Sequence, residues 1–246
     1  MINLELNVKC AELMHREYDV VKNSNILLSP TVNRRSFSAG LTLFGAAALL
    51  PAAAEAQRKI NEVPIDQLMA PDELSELSLG NKDATVTIVE YMSMSCPACG
   101  NFHNTTFKEL KKKYIDTGKV RFVIREFPLN NLAAAGAMLA RCTEDGAKSI
   151  ALIEILFAKQ RDWVSNNALQ ELLKIGKQAG ITEERFEKCL QDNDMLGKLS
   201  RRRDKADKEF GIDATPSFFI NGKRLQGRNF TLEAFEKVIE PLLKSS

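Results

Sequence analysis

Two cysteines separated by two residues, Cys96-Pro97-Ala98-Cys99, are the part of this sequence best suited to chemistry. A C-x-x-C pair at the start of a helix that follows a strand supports thiol–disulfide exchange. The reason is electrostatic: the positive end of the helix dipole and the free N–H groups of the first turn stabilise a thiolate at the first cysteine. Cys96 is therefore the expected nucleophile. Cys99, one turn into the helix and deeper, is the expected resolving thiol that releases a mixed disulfide. Pro97 suits a first helical turn, where its missing N–H is not needed. The motif gives the chemistry and leaves the direction of electron flow open.

Several elements must position this pair. Residues 84–91 are rich in β-branched side chains and follow the turn cluster Gly80-Asn81-Lys82-Asp83, which predicts a central, buried strand. From Pro97 to about Tyr114, the spacing of Phe102, Phe107, Leu110 and Tyr114 predicts one amphipathic helix ending near Gly118. A second strand, 120–127, alternates apolar residues with Arg121 and Arg125. From Asn131 to about Phe210 no strand pattern appears. Ala- and Leu-rich helical patterns recur there, broken at Gly146, at Ser165-Asn166-Asn167 and at Gly180-Ile181-Thr182. Ala214-Thr215-Pro216 then leads into a strand at 217–220, a two-residue Asn221-Gly222 hairpin turn and a short strand at 223–225. A last helix spans 231–243, with Thr231 as N-cap and Glu233 in the first turn, where its charge complements the helix dipole.

Composition limits the function classes. The chain has 246 residues, 44% hydrophobic and 27% charged, which describes an ordinary globular protein rather than a disordered one. Its net charge of +2 points to no nucleic-acid or membrane-surface partner. Five cysteines are too few for a disulfide-built scaffold of this length, so compartment decides what they mean. Residues 33–56 read as an export signal: Arg34-Arg35, then Ser36-Phe37, an apolar stretch to Leu50, Pro51, and the small-x-small site Ala54-Glu55-Ala56. The apolar stretch, about 15 residues, is shorter than the roughly 20 needed to span a bilayer, so cleavage near Ala56 is expected over anchoring. The arginine pair before Phe37 resembles a twin-arginine signal, and the general secretory route stays open. Residues 1–32 form an N-terminal extension unusual before such a signal, and translation is expected to start downstream, at Met14 or nearer Arg34.

Three stretches together resemble the DsbA family of periplasmic disulfide oxidoreductases: Glu90-Tyr91-Met92-Ser93-Met94-Ser95-Cys96-Pro97-Ala98-Cys99, the helical stretch, and Ala214-Thr215-Pro216-Ser217-Phe218-Phe219-Ile220-Asn221-Gly222. The resemblance covers roughly 84–243. It implies an α/β, thioredoxin-like fold with an inserted α-helical subdomain: a lead-in at 57–83, the thioredoxin-like domain at 84–128 and 211–246, and the helical insertion at 129–210. It further implies a cis proline at Pro216 lying against the active-site sulfurs. Thr215 before it would tune the potential and contact substrate backbone. Glu90 matches a buried acid that helps move the proton of the deeper cysteine, and a carboxylate alone in an apolar strand suits that task. His103 stands where the best-known member has an acid and reads as a solvated helix residue. Ala98 stands where the most oxidising members have histidine, so a weaker oxidant is expected. Some relatives carry a second disulfide in the insertion, which makes Cys142 and Cys189 a candidate structural pair, with two buried free thiols as the alternative. No cofactor is implied beyond the redox-active disulfide of Cys96 and Cys99.

Other features read as structure. Arg201-Arg202-Arg203 is expected to be an exposed helix face rather than an anion site, and Trp163 and the phenylalanines are expected in the core. Met92 and Met94 fit either the interior or a hydrophobic substrate groove. No phosphate loop, zinc-ligand spacing or Ser/His/Asp set is visible, and no metal site is expected. The expected activity is introduction of disulfides into unfolded or reduced exported proteins, with reoxidation by a DsbB-like membrane partner. The lead-in is too short for a dimerisation domain, so a periplasmic monomer is expected. The rival readings are a disulfide isomerase or reductase of the same fold, or a Cu(I)-binding thioredoxin-like protein.

Overall fold

The structure is a computed structural model that describes residues 60–244. The expected signal at 33–56, the extension at 1–32 and Cys10 lie outside the described residues. A five-stranded sheet in the order β1-β3-β2-β4-β5 is built from β1 (Leu77–Leu79), β2 (Val86–Met92), β3 (Val120–Glu126), β4 (Ser217–Ile220) and β5 (Lys223–Arg224). β2 and β3 run parallel, and every other pairing is antiparallel. Both faces of the central strands are covered, which is why β2 reads as a near-continuous apolar run. Ile88, Met92, Phe122, Ile124 and Phe218 pack into the larger core, and Val89, Tyr91, Val123 and Phe219 into the smaller one.

Parallel strands need a crossover, and here it is broken where the sequence predicts one helix. It consists of α2 (Pro97–Asn104), α3 (Thr106–Leu110) and a π-helical turn (Lys111–Ile115). Helical geometry fails at Thr105 (φ −123°, ψ −91°), whose hydroxyl donates to the Asn101 carbonyl at 2.7 Å. That back-bond and the β-branched Thr105-Thr106 pair weaken the helix at this point. The apolar stripe survives the break, and Phe102, Phe107, Leu110 and Tyr114 are all buried.

Between β3 and β4 run α4 (Asn131–Arg141), α5 (Gly146–Ala158), α6 (Gln160–Trp163), α7 (Ala168–Gln178), α8 (Glu183–Leu190) and α9 (Asn193–Phe210). Four of these start at side-chain caps. Asn130, Asp145, Thr182 and Asp192 accept from the N–H groups of Ala133, Lys148, Arg185 and Met195, each cap satisfying an orphan donor of a first turn. The Asn221-Gly222 turn has positive φ at both residues (46° and 89°), as a hairpin turn that follows strand twist requires. The chain closes with α10 (Leu232–Lys244).

Two expectations need correction here. The 57–83 lead-in holds a one-turn helix, α1 (Ile65–Leu68), as well as β1, both too short to show a periodic pattern. Arg201-Arg202-Arg203 is not one exposed face. Consecutive helical residues point about 100° apart, and Arg202 turns inward. There it donates to Asp72 at 2.6 Å and to Glu126, while Arg201 pairs with Glu73 and Arg203 stays exposed. Arg141 joins from α4, donating to Glu126 at 2.5 Å and 3.0 Å.

Candidate active site

β2 ends at Met92, and Cys96 is the N-cap residue of α2, with Pro97 in the first turn. The two thiols are free and differ in access. Cys96 is 9% exposed and Cys99 is fully enclosed at 0%, so only the first can meet a macromolecular disulfide or thiol. Pro97 and Ala98 are exposed beside it. Across from the motif, the Thr215–Pro216 peptide is cis, and Cys96 Sγ donates to the Thr215 carbonyl at 3.2 Å. The Thr215 hydroxyl is buried and, among the described residues, makes no hydrogen bond of its own.

The Cys96 thiol is held down to about 5. The largest cause is the hydrogen bond from the Cys99 thiol. Burial works against it, and the Thr215 side chain and the backbone N–H groups of Cys99 and Ala98 add to it. Burial pushes Cys99 well up, and its hydrogen bond to Cys96 and the nearby Glu90 carboxylate push it further. One thiol is therefore ready as thiolate and the other holds its proton, the asymmetry that thiol–disulfide exchange through a C-x-x-C pair needs.

Glu90 is completely buried in the middle of β2, paired in register with Ile124 and Phe218. It is not alone. His103, read from the sequence as solvated, is only 4% exposed, and its Nε2 lies 2.9 Å and 3.2 Å from the two Glu90 carboxylate oxygens. Its ring stacks on Phe157 at 4.3 Å and meets Phe107 at 4.8 Å. The signal for its burial was present: Cys99, His103 and Phe107 recur every four residues and so share one face of the crossover.

Sequence reasoning missed Gln160 altogether. From α6 its buried Nε2 donates to the carbonyls of Met94 at 2.8 Å and Cys96 at 2.9 Å. Its Oε1 lies where a Cβ on Gly100 would come within 2.4 Å, so a side chain there would collide with the amide. Ser95 is tied to the insertion as well, donating to Asn130 Oδ1 at 3.2 Å. Met92 and Met94 are interior rather than part of a groove. Cys142 and Cys189 form a disulfide joining the end of α4 to α8, with their Cα atoms 5.8 Å apart. Among the described residues no cluster of His, Cys, Asp or Glu could hold a metal ion.

Comparison with known proteins agrees with this geometry. Residues 72–241 match the thioredoxin family model. A Rickettsia bellii protein named as a protein-disulfide oxidoreductase is 34% identical over 201 residues, covering 81% of this chain and 77% of the relative. A Rickettsia prowazekii protein of the same name is 38% identical over 69% of this chain, which spans only 62% of that relative's length. Among solved structures, Wolbachia pipientis alpha-DsbA1 superposes with a TM-score of 0.68 at 29% identity, covering 73% of this chain and 96% of its own. Oxidised BdbD from Bacillus subtilis superposes at 0.61 with 25% identity, covering 69% and 93%. With its C-x-x-C pair, cis Thr215–Pro216 and helical insertion in one arrangement, the chain belongs to the DsbA family of thiol–disulfide oxidoreductases.

Proposed function

We propose that this protein is an exported oxidase that passes the Cys96–Cys99 disulfide to reduced, unfolded proteins in the periplasm. The observation that carries this reading is the contrast between an accessible Cys96, held down to about 5, and an enclosed Cys99 whose thiol is pushed up. Such a pair favours the reduced form, with the Cys96 thiolate as a good leaving group, and a stabilised reduced form makes the disulfide oxidising.

A substrate thiolate attacks Cys96 Sγ, the Cys96–Cys99 bond breaks, and Cys99 leaves as thiolate and takes a proton. A second substrate thiolate then attacks the substrate sulfur of the mixed disulfide. The substrate keeps the new S–S bond, Cys96 leaves as thiolate, and two electrons have moved to the protein. A membrane disulfide donor of the DsbB type restores the bond. In that return step the Cys96 thiolate attacks the donor's disulfide, releasing one donor thiolate, and Cys99 then gives up its proton and attacks Cys96 Sγ, expelling the second donor thiolate. Ala98 offers no side-chain donor to Cys96, so the potential lies on the less oxidising side of the family. The arginine pair and apolar run at 33–56 support export, and the short lead-in supports a monomer.

Incubating the oxidised protein with reduced, unfolded ribonuclease tests the direction. Stoichiometric loss of ribonuclease thiols is expected, and it should disappear in Cys96→Ser. Reactivation of scrambled ribonuclease without net oxidation, or a reduction potential near thioredoxin's roughly −270 mV rather than toward DsbA's roughly −120 mV, would reverse the reading.

A further inference from the structure

We propose that His103 is a positioning residue that makes Glu90 a two-residue proton reservoir for Cys99, so that the carboxylate and the imidazole gain or lose one proton together as Cys99 does. The inference rests on the reading of Cys99 as the buried thiol of the exchange reaction, whatever the net direction of that reaction. The buried acid by itself is part of the family resemblance; the imidazole bonded to it is found in this chain's own geometry.

The argument is one of charge. Glu90 and Cys99 share an apolar compartment, and the carboxylate already opposes a thiolate there. Two negative charges in such a place are opposed by both desolvation and mutual repulsion. His103 Nε2 is bonded to both carboxylate oxygens, so in the proposed reservoir an added proton is shared by the pair, which is then neutral, either as carboxylic acid with imidazole or as carboxylate with imidazolium. Giving that proton to the departing Cys99 thiolate leaves carboxylate and neutral imidazole. Taking it from the Cys99 thiol restores the neutral pair beside a thiolate. Either way the compartment carries a single negative charge before and after the transfer, so the step adds none.

The surroundings keep the exchange local. Cys99 and His103 lie one turn apart on α2, with side chains on one face. β3 presents Ile124, β4 presents Phe218, α3 presents Phe107 and α5 presents Phe157, none of which titrates. Cys96 caps the same helix. Glu126, further along β3, is neutralised by Arg141 and Arg202. Among the described residues His103 Nδ1 is buried with no hydrogen-bond partner, so no second carboxylate or carbonyl competes with Glu90 for the ring, whose exchange partner lies at Nε2.

The test isolates the attack of Cys99. Reduced protein is converted to a mixed disulfide between Cys96 and thionitrobenzoate, and Cys99 then attacks Cys96 Sγ, closing the Cys96–Cys99 bond and expelling coloured thionitrobenzoate without external oxidant. Release from the wild type is expected to depend weakly on pH around neutrality. In His103→Gln and in Glu90→Gln it should slow by about 100-fold, the usual worth of a positioned acid–base group. It should also become proportional to hydroxide, while the Cys96 thiolate titration stays in place. Unchanged rates and pH profiles in either variant overturn the proposal. Should a variant not fold, nitrogen NMR of wild-type His103 decides: its ring signals must shift between dithiol and disulfide forms at constant pH, and static signals overturn the proposal. Ribonuclease oxidation by the wild type fails only if the oxidase reading fails, so the two outcomes are separable.

Discussion

Gln160 holds the carbonyl of Cys96 at 2.9 Å from inside the helical insertion, so the insertion forms part of the frame of the redox motif. The same amide nitrogen reaches Met94 at 2.8 Å, and its oxygen rests against Gly100. Gln160→Leu removes the donor from both carbonyls, although Cys96 keeps the N–H of Gly100 at 3.1 Å. A buried acceptor losing its partner costs about 1–3 kcal/mol. Urea unfolding should show that loss for Gln160→Leu and less than about 0.5 kcal/mol for an exposed residue such as Lys188→Ala; equal effects would remove the bracing role.

The Cys96 thiol gives the reduced protein a pH-dependent stability of known sign. Its folded value, about 5, lies below the ordinary 9.0. A depressed acid stabilises the folded state fully above its unfolded value, and that stabilisation fades as pH falls and is gone below the folded value. The stability of reduced wild type relative to reduced Cys96→Ser should therefore grow between about pH 5 and about pH 9, by at most about 1.4 kcal/mol per unit. A difference that stays flat over this window contradicts the assignment. Thiolate absorbance should titrate near the same point and move lower in Ala98→His.

The disulfide of the insertion closes a loop of sequence separation 47, for which chain-entropy arithmetic gives about 4 kcal/mol. Arg185 already holds the Cys142 carbonyl at 2.8 Å, so local structure has other support when the bond is absent. Cys142→Ala/Cys189→Ala should unfold at markedly lower urea by roughly that amount. Cys96 titration and ribonuclease oxidation per folded molecule should not change. A shifted Cys96 titration would show that the disulfide also shapes the redox site.

What the sequence made legible follows from how local each signal is. The C-x-x-C pair, β2, β3 and the Asn221-Gly222 turn are read from adjacent residues, and the structure places them within two residues of expectation. Long helices showed their apolar faces. The residues misread were polar ones whose partners are distant in sequence. His103 meets Glu90 only because α2 packs on β2, and Gln160 meets Cys96 only because the insertion folds back. Arg202 finds Asp72 and Glu126 across the whole chain. A polar side chain reads as solvated until its partner is known, since burial without a partner is costly. β1 was hidden for another reason: three residues against the β3 edge are too few to alternate visibly.

The Arg202 contacts make the sharpest stability test of that lesson. Glu126 is fully buried, and although burial alone would raise its carboxyl, Arg141 and Arg202 hold it below its ordinary value. Arg202→Met leaves half of that compensation and strips Asp72 of its closest partner, so a loss of about 3 kcal/mol or more is expected, as for other broken buried pairs. Arg203→Met, one residue on, faces solvent and should stay within about 0.5 kcal/mol. Glu126 also sets an acid limit, because its stabilisation is present above the ordinary carboxylate value and is lost as pH falls through its depressed folded value. The fall in stability below about pH 4.5 should therefore be shallower in Arg202→Met than in the wild type. Adding Glu126→Gln to Arg202→Met also strips the buried Arg141 of its carboxylate, so the double variant should be less stable than Arg202→Met alone. If the double variant is no less stable than Arg202→Met alone, Arg141 adds nothing by pairing with Glu126, and the Arg202→Met penalty comes from lost packing of the arginine stem and not from lost charge compensation.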